Sequence, residues 1–87
     1  MFKIGEKVFI RTVTFHLLGE IVEREGDWVR LKNATWVADS GNPNLPFHES
    51  LETGELDEIE YVGEVRVNLA TATDVFAWAH DLPTTSK

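Results

Sequence analysis

Residues 7–23 form one long run of β-prone sequence that only Gly19 interrupts, and this run limits what the chain can fold into. It is rich in β-branched and aromatic side chains and contains no proline, which favours strands over helices. A glycine inside a strand pattern usually marks a sharp bend or a close approach of two backbones. We therefore expect a strand, a tight bend or turn within residues 14–19, and a second strand.

Three further strands are predicted after this run. Residues 24–27 contain the Gly and Asp of a short hairpin turn. Residues 28–34 then follow the period-2 pattern of a half-buried strand, in which Trp28, Arg30, Lys32 and Ala34 alternate with Val29, Leu31 and Asn33. Residues 64–69 and 75–78 are the last two strands, with a polar joint between them. Five short strands in 87 residues predict a small, open, strongly bent barrel more readily than a two-sheet sandwich.

The segment between the third and fourth strands is predicted to be an insertion. Residues 38–46 contain two prolines, a glycine and two asparagines, which is the composition of a loop. Pro46 and Gly54 then frame two turns of helix over residues 47–54, with Phe47 and Leu51 on its inward face. Residues 49–64 carry seven carboxylates and no basic residue. We interpret them as a solvated face, because their spacing is not that of a calcium loop.

Charge and composition exclude several classes of protein. The net charge is −7, and residues 33–87 carry ten acidic and two basic side chains. Such a chain is unsuited to broad binding of double-stranded DNA, although a narrow site could hold a single strand. It has no cysteine for disulfides or thiolate zinc sites. No apolar stretch is long enough to span a membrane and no signal peptide is visible, so we expect a cytoplasmic protein.

A run of the first half resembles the first motif of Sm-like proteins, which include the bacterial Hfq type. In that motif a Gly-x-hydrophobic start precedes an acidic residue near the hairpin turn and a hydrophobic strand, and here these places are taken by Gly19, Ile21, Glu25 and residues 28–31. The chain is also similar to small Sm-like proteins of phages. The resemblance implies an all-β, five-stranded, strongly bent open barrel of the Sm-like (SH3) type. Residues 1–80 would form this one domain, with a short helix or loop inserted around residues 39–54, and residues 81–87 a flexible tail.

The second Sm motif is altered in this sequence. It normally ends a strand with a basic residue or an Arg-Gly pair facing the pore of a ring, and the matching residues here are Val67, Asn68, Leu69 and Ala70. The asparagine that holds a base in RNA-binding members falls near Val29, and the usual amino-terminal helix is absent or vestigial. Ring assembly therefore fits the sequence better than uridine-type RNA binding does.

The resemblance leaves two hypotheses open, and both are non-enzymatic. In the first, a homo-oligomeric ring of about five to seven subunits binds short single-stranded RNA or a nucleotide at its pore. The binding candidates are Arg24, Trp28 and Asn68. In the second, a structural or adaptor ring binds protein partners and no nucleic acid. Ring closure is expected to pair the strand 65–69 of one subunit with the strand 75–78 of the next, through Val65, Val67, Leu69, Val75, Phe76 and Trp78.

Catalytic and metal chemistry have little support. The histidines at positions 16, 48 and 80 form no metal-binding spacing, and no nucleophile elbow frames Ser40 beside Asp39 and His48. We therefore expect no catalytic residues, no cofactor and no metal. Of the three tryptophans, Trp28 is the candidate for stacking on a base, whereas Trp36 and Trp78 are expected in a subunit interface or in the core.

Overall fold

The computed structural model of the protein describes residues 2–13, 15–38, 51–56 and 58–85. Five strands follow one another along these residues: β1 (Lys7–Thr12), β2 (His16–Glu25), β3 (Trp28–Val37), β4 (Ile59–Asn68) and β5 (Ala72–Ala77). A single turn of 3-10 helix at Leu69–Thr71 joins β4 to β5. This architecture confirms the predicted all-β class and its five strands.

The strands form one antiparallel sheet in the order β4-β3-β2-β1-β5. The strands β1 to β4 are neighbours in chain order, and the chain then crosses to the far side of the sheet so that β5 pairs with β1. The strands β4 and β5 are consequently the two edges of the sheet. The two strands that are expected to pair between subunits therefore lie at the edges of the sheet.

Gly19 marks a close approach between β2 and β3. A Cβ atom at this position would lie 3.0 Å from Leu31 Cβ and 3.3 Å from the carbonyl oxygen of Lys32. The β2–β3 register shifts at Gly19 itself, between Leu18 and Glu20, and again beyond it, between Ile21 and Glu23. These irregularities increase the local bending of a strand pair. The predicted backbone approach is confirmed, but β2 already begins at His16, so Gly19 lies inside a strand and not in the turn before it.

The alternating pattern predicted for residues 28–34 breaks at Asn33. This residue has a φ of 51°, and the β3–β4 register shifts between Leu31 and Ala34. Up to Leu31 the alternation holds, with Val29 and Leu31 buried. Beyond the irregularity Ala34 is buried with Leu31 and does not share the exposed face of Trp28. The prediction for Ala34 is therefore wrong, because one left-handed residue exchanges the two faces of the strand.

Two apolar clusters cover opposite faces of the sheet at β1 and β2. The first cluster is the larger: Val8, Ile10, Leu17, Ile21, Val29, Leu31, Ala34 and Val67. The second cluster lies on the opposite face of the sheet, which we call the outer face, and consists of Phe9, Leu18, Leu56, Ile59 and Trp78. Since Phe9 is paired with Leu18 and Ile10 with Leu17, adjacent residues of each strand enter different clusters. The segment 51–56 and the end of the chain therefore cover the outer face over β1 and β2.

Three predicted boundaries differ in the structure. The strand β4 begins at Ile59, five residues earlier than expected, and β5 begins at Ala72 and ends before Trp78. Residues 51–53 are helical and Gly54 follows with a φ of 77°, as a left-handed helix end requires. The rest of the predicted helix and the loop 39–46 lie outside the described residues. The flexible tail stays a prediction, although Leu82 packs against the second cluster.

Candidate ligand-binding groove

Two turns meet at one end of the sheet. The β2–β3 turn consists of Gly26 and Asp27, and the 3-10 helix lies beside it after β4. The backbone N–H of Leu69 donates to the carbonyl oxygen of Asp27 at 2.7 Å. Asn68 caps the 3-10 helix, since its Oδ1 accepts from the N–H of Ala70 at 2.9 Å. These bonds fix the end of the sheet where the sequence predicts the ligand site.

The outer face of the sheet at this end consists of two cross-strand rows. In the row next to the turn, Trp28 of β3 lies between Glu25 of β2 and Asn68 of β4. In the second row, Arg30 is paired with Glu23 on one side and with Arg66 on the other. An open groove of about 470 Å³ runs along these rows, lined by Glu23, Glu25, Trp28, Val29, Arg30 and Arg66. We call it the hairpin groove.

The three tryptophans occupy different environments. Trp28 is 53% exposed and lines the hairpin groove. Trp36 is 45% exposed, but its ring stacks on Phe15 with centroids 5.7 Å apart. Trp78 is only 3% exposed and stacks on Phe9 in the second cluster. Of the two alternatives for Trp78, the structure therefore supports the core, and Trp28 is the most exposed of the three tryptophans.

The second row contains Arg66, a basic side chain that was not among the binding candidates predicted from the sequence. Arg30 donates to Glu64 at 3.1 Å and lies 3.6 Å from Glu23, so its charge is balanced on both sides. Arg66 faces Arg30 across the strands and has no ion-pair partner among the residues that the structure describes. Like charges placed directly opposite are destabilising in a sheet.

Arg24 does not join the groove. It is paired with Val29, which is 1% exposed, so it lies on the face of the first cluster. Its guanidinium donates to the carbonyl oxygens of Gly26 and Phe2, each at 3.3 Å. Two of the three predicted binding residues, Trp28 and Asn68, are thus neighbours in the sheet. The third, Arg24, lies on the opposite face of the hairpin from Trp28. Its contacts give Arg24 a structural role at the amino terminus.

The predicted interface residues fall into two groups. Val65, Leu69, Val75 and Phe76 are partly buried and lie on or beside the edge strands, where a second copy could cover them. Val67 is 7% exposed and Trp78 is 3% exposed, so their side chains already belong to the clusters of the monomer. Whether these strands pair between subunits stays a prediction.

The strongest ion pair lies away from the groove, on the edge strand β5. Arg11 of β1 donates to both carboxylate oxygens of Asp74, at 2.7 and 2.8 Å. These hydrogen bonds, together with the positive charge of Arg11, hold the pKa of the Asp74 carboxyl below its usual value of 3.8. The pair ties β5 to β1 and therefore belongs to the fold.

Little else in the described part of the chain offers chemistry. His16 is buried against Phe9, and the ring of His80 is hydrogen-bonded to the carbonyl oxygen of Leu51 at 2.9 Å. Over residues 2–13, 15–38, 51–56 and 58–85, no cluster of metal-binding side chains forms, and no helix has the length and apolarity to cross a membrane. His48, Ser40 and Asp39 lie outside the described residues.

Comparison with known proteins identifies the fold. No protein-family model matches the sequence, and a search of curated proteins finds no match. The crystal structure of a heptameric archaeal Sm protein, described for its implications for the eukaryotic snRNP core, covers 85% of this chain and 87% of its own, with a TM-score of 0.57 and 12% identity. The chain is thus a small all-β domain built on one bent, open sheet. Its fold is Sm-like, as the sequence motif around Gly19 predicts.

Proposed function

We propose that this chain assembles into a closed homo-oligomeric ring that holds a short single-stranded RNA or a nucleotide in the hairpin groove, without catalysing a reaction. The exposed ring of Trp28 beside the unbalanced charge of Arg66 is the observation that carries the binding part of this proposal. The two edge strands of the open sheet, β4 and β5, support the assembly part of the proposal.

The case for a ring starts from the two free edges. Each edge strand has a row of backbone N–H and C=O groups on its outer side that pair readily with another strand. If β4 of one subunit pairs with β5 of the next, the contact is head-to-tail, and repetition of one rotation closes a ring. Partly buried apolar side chains such as Val65 and Val75 would then be covered. The archaeal Sm protein that shares the fold is itself heptameric.

The case for a strand or nucleotide ligand rests on the chemistry of the groove. A tryptophan ring that stacks on a base contributes about 1–3 kcal/mol per base in single-strand binders. Arg66 would meet a phosphate oxygen. The net charge of −7 per subunit opposes this attraction. We therefore expect weak binding with a shallow dependence on salt, because screening reduces the repulsion and the phosphate contact together.

Sedimentation velocity tests the assembly. We expect a single species several times the mass of the 9.9 kDa chain at micromolar concentration. Val62→Asp, at a 39% exposed position of β4, should shift the distribution to smaller species, because it places a further charge at the proposed contact. Val13→Asp is the matched control, since Val13 is 85% exposed and lies outside the edge strands. A folded wild-type monomer would contradict the ring.

Fluorescence anisotropy of labelled single-stranded oligonucleotides tests the ligand. Trp28→Ala should weaken binding by about tenfold or more, as expected for one lost stacking contact. Trp36→Ala is the control, because it removes another exposed tryptophan of the same strand outside the groove. Unchanged affinity in Trp28→Ala, with the oligomer intact, would place the site elsewhere. A ring that binds no oligonucleotide would instead favour the adaptor hypothesis.

A further inference from the structure

We infer that the hairpin groove selects guanine: Trp28 stacks on the base, Glu25 accepts hydrogen bonds from its Watson–Crick edge, and Arg66 binds the phosphate. The inference rests on the proposed binding of a strand or nucleotide. It specifies which base the site prefers and which side chain recognises that base.

The first argument is the pattern of uncompensated charge around Trp28. Glu25 lies directly opposite Trp28 on β2 and has no ion-pair partner among the described residues. Arg66 lies on the other side, on β4 and one row further from the turn. The other two charged side chains of the groove, Glu23 and Arg30, lie 3.6 Å from each other. Within the described part of the chain, the groove therefore offers one acceptor and one cation without ion-pair partners, on opposite sides of an exposed aromatic ring.

The spacing of these groups suits a nucleotide. Adjacent strands of a sheet lie about 4.8 Å apart and residues rise about 3.4 Å along a strand, which separates the Cα atoms of Glu25 and Arg66 by about 12 Å. Both residues line the groove, and Trp28 lies on the strand between theirs. A planar base with its phosphate has donors at one end and an anion at the other. Such a ligand complements both free charges at once.

The second argument is the chemistry of a carboxylate as a reader of bases. An ionised glutamate only accepts hydrogen bonds, and its two oxygens accept two parallel donors best. Guanine presents N1–H and the N2 amino group side by side on its Watson–Crick edge. Adenine and cytosine present a donor next to an acceptor, and uracil presents one donor between two carbonyls. Glu25 would therefore attract guanine and repel the acceptor atoms of the other three bases.

A cationic peptide is the competing ligand, since tryptophan and glutamate also suit an arginine or lysine side chain. The position of Arg66 disfavours it, because a second cation would enter a groove that already contains a guanidinium with no ion-pair partner among the described residues. Asn68 does not change this balance, since its Oδ1 already accepts from the N–H of Ala70. The groove consequently fits an anion with a donor edge better than a cation.

The test compares the 5′-monophosphates of guanosine, adenosine, cytidine and uridine, and uridine hexanucleotides with and without one central guanine, on the full-length protein. We expect guanine to bind about tenfold more tightly than the other bases, which is the discrimination typical of one bidentate contact. Glu25→Gln should abolish the preference, since an amide offers one donor and one acceptor. Arg66→Gln should weaken all four monophosphates alike and leave guanosine without phosphate unaffected.

Glu60→Gln is the matched control, since Glu60 is exposed on β4 opposite Trp36 and lies outside the groove. Equal affinity for the four bases would overturn guanine selection while leaving strand binding in place. Tighter binding of an oligoarginine peptide than of guanosine monophosphate would also overturn it. Absence of binding to every oligonucleotide would contradict both this inference and the proposed function.

Discussion

Replacement of Gly19 by alanine tests how closely β2 and β3 approach each other. The new methyl group would lie 3.0 Å from Leu31 Cβ, 3.2 Å from Leu31 Cδ1 and 3.3 Å from the carbonyl oxygen of Lys32. Carbon atoms in contact prefer about 3.5–4.0 Å, so the two strands must separate by a few tenths of an ångström. Leu31 Cβ and the carbonyl oxygen of Lys32 are attached to or part of the backbone, so they cannot move away as freely as the end of a side chain.

The expected free-energy change has two opposing contributions. Overpacking of this kind costs about 1–3 kcal/mol, whereas the reduced freedom of the unfolded chain returns about 0.4–1 kcal/mol for Gly→Ala. We expect a net loss of about 1–2 kcal/mol in the free energy of unfolding for Gly19→Ala, and a larger loss for Gly19→Val.

Urea unfolding followed by tryptophan fluorescence measures this loss. Measurements at several protein concentrations separate it from any effect on subunit association. The sign is diagnostic, because chain entropy alone would make the alanine variant more stable. A Gly19→Ala protein at least as stable as the wild type would refute the close approach.

Three further predictions concern other parts of the fold. Because the pKa of Asp74 is lowered in the folded state, its pair with Arg11 stabilises the protein above the unfolded pKa, and this contribution is lost as the pH falls below about 3.8. Asp74→Asn should therefore cost up to about 1 kcal/mol in urea unfolding at pH 7, and progressively less as the pH is lowered from 3.8 through the folded-state pKa of Asp74. Gly54→Ala should lower the melting temperature measured by circular dichroism, because its φ is 77° and the added Cβ would lie 2.7 Å from the ring of His80. Asn33→Val should destabilise the protein by about 1–2 kcal/mol more than Asn33→Gly, since the β-branched valine is strained at a φ of 51° and glycine is not. Equal stability of the two Asn33 variants in thermal unfolding would contradict the left-handed geometry.

Local features of the fold were predictable because local chemistry determines them. The β-branched content of residues 7–23 favours strands, and the glycine within it marks either a sharp bend or a close approach of two backbones. The turn at Gly26 and Asp27 also determines which of the residues on its two sides share a face of the sheet. A two-residue turn pairs Glu25 with Trp28, so Arg24 must lie on the other face. The separation of Arg24 from Trp28 was therefore available from the sequence.

Features that depend on long-range register were not predictable in the same way. Arg66 enters the groove only because the β3–β4 register places it opposite Arg30. The connection between these strands spans residues 38–58, and no short turn fixes their alignment. Asn33 then changes which residues of β3 face inward, and asparagine is compatible with both ordinary and left-handed backbone. Sequence periodicity alone cannot show which of these conformations it adopts.

The covering of the outer face explains why the candidate site lies at the hairpin end. Over β1 and β2 this face carries Phe9 and Leu18, and the segment 51–56 together with Trp78 packs on them. Nearer the turn the same face changes to charged residues, beginning with the pair of Glu20 and Lys32 at 3.5 Å. Trp28 lies beyond that boundary, 53% exposed on an otherwise charged surface. Among the described residues, the segment that covers the outer face over β1 and β2 does not pack on Trp28. The exposed ring is therefore the part of this face on which the proposed base stacking depends.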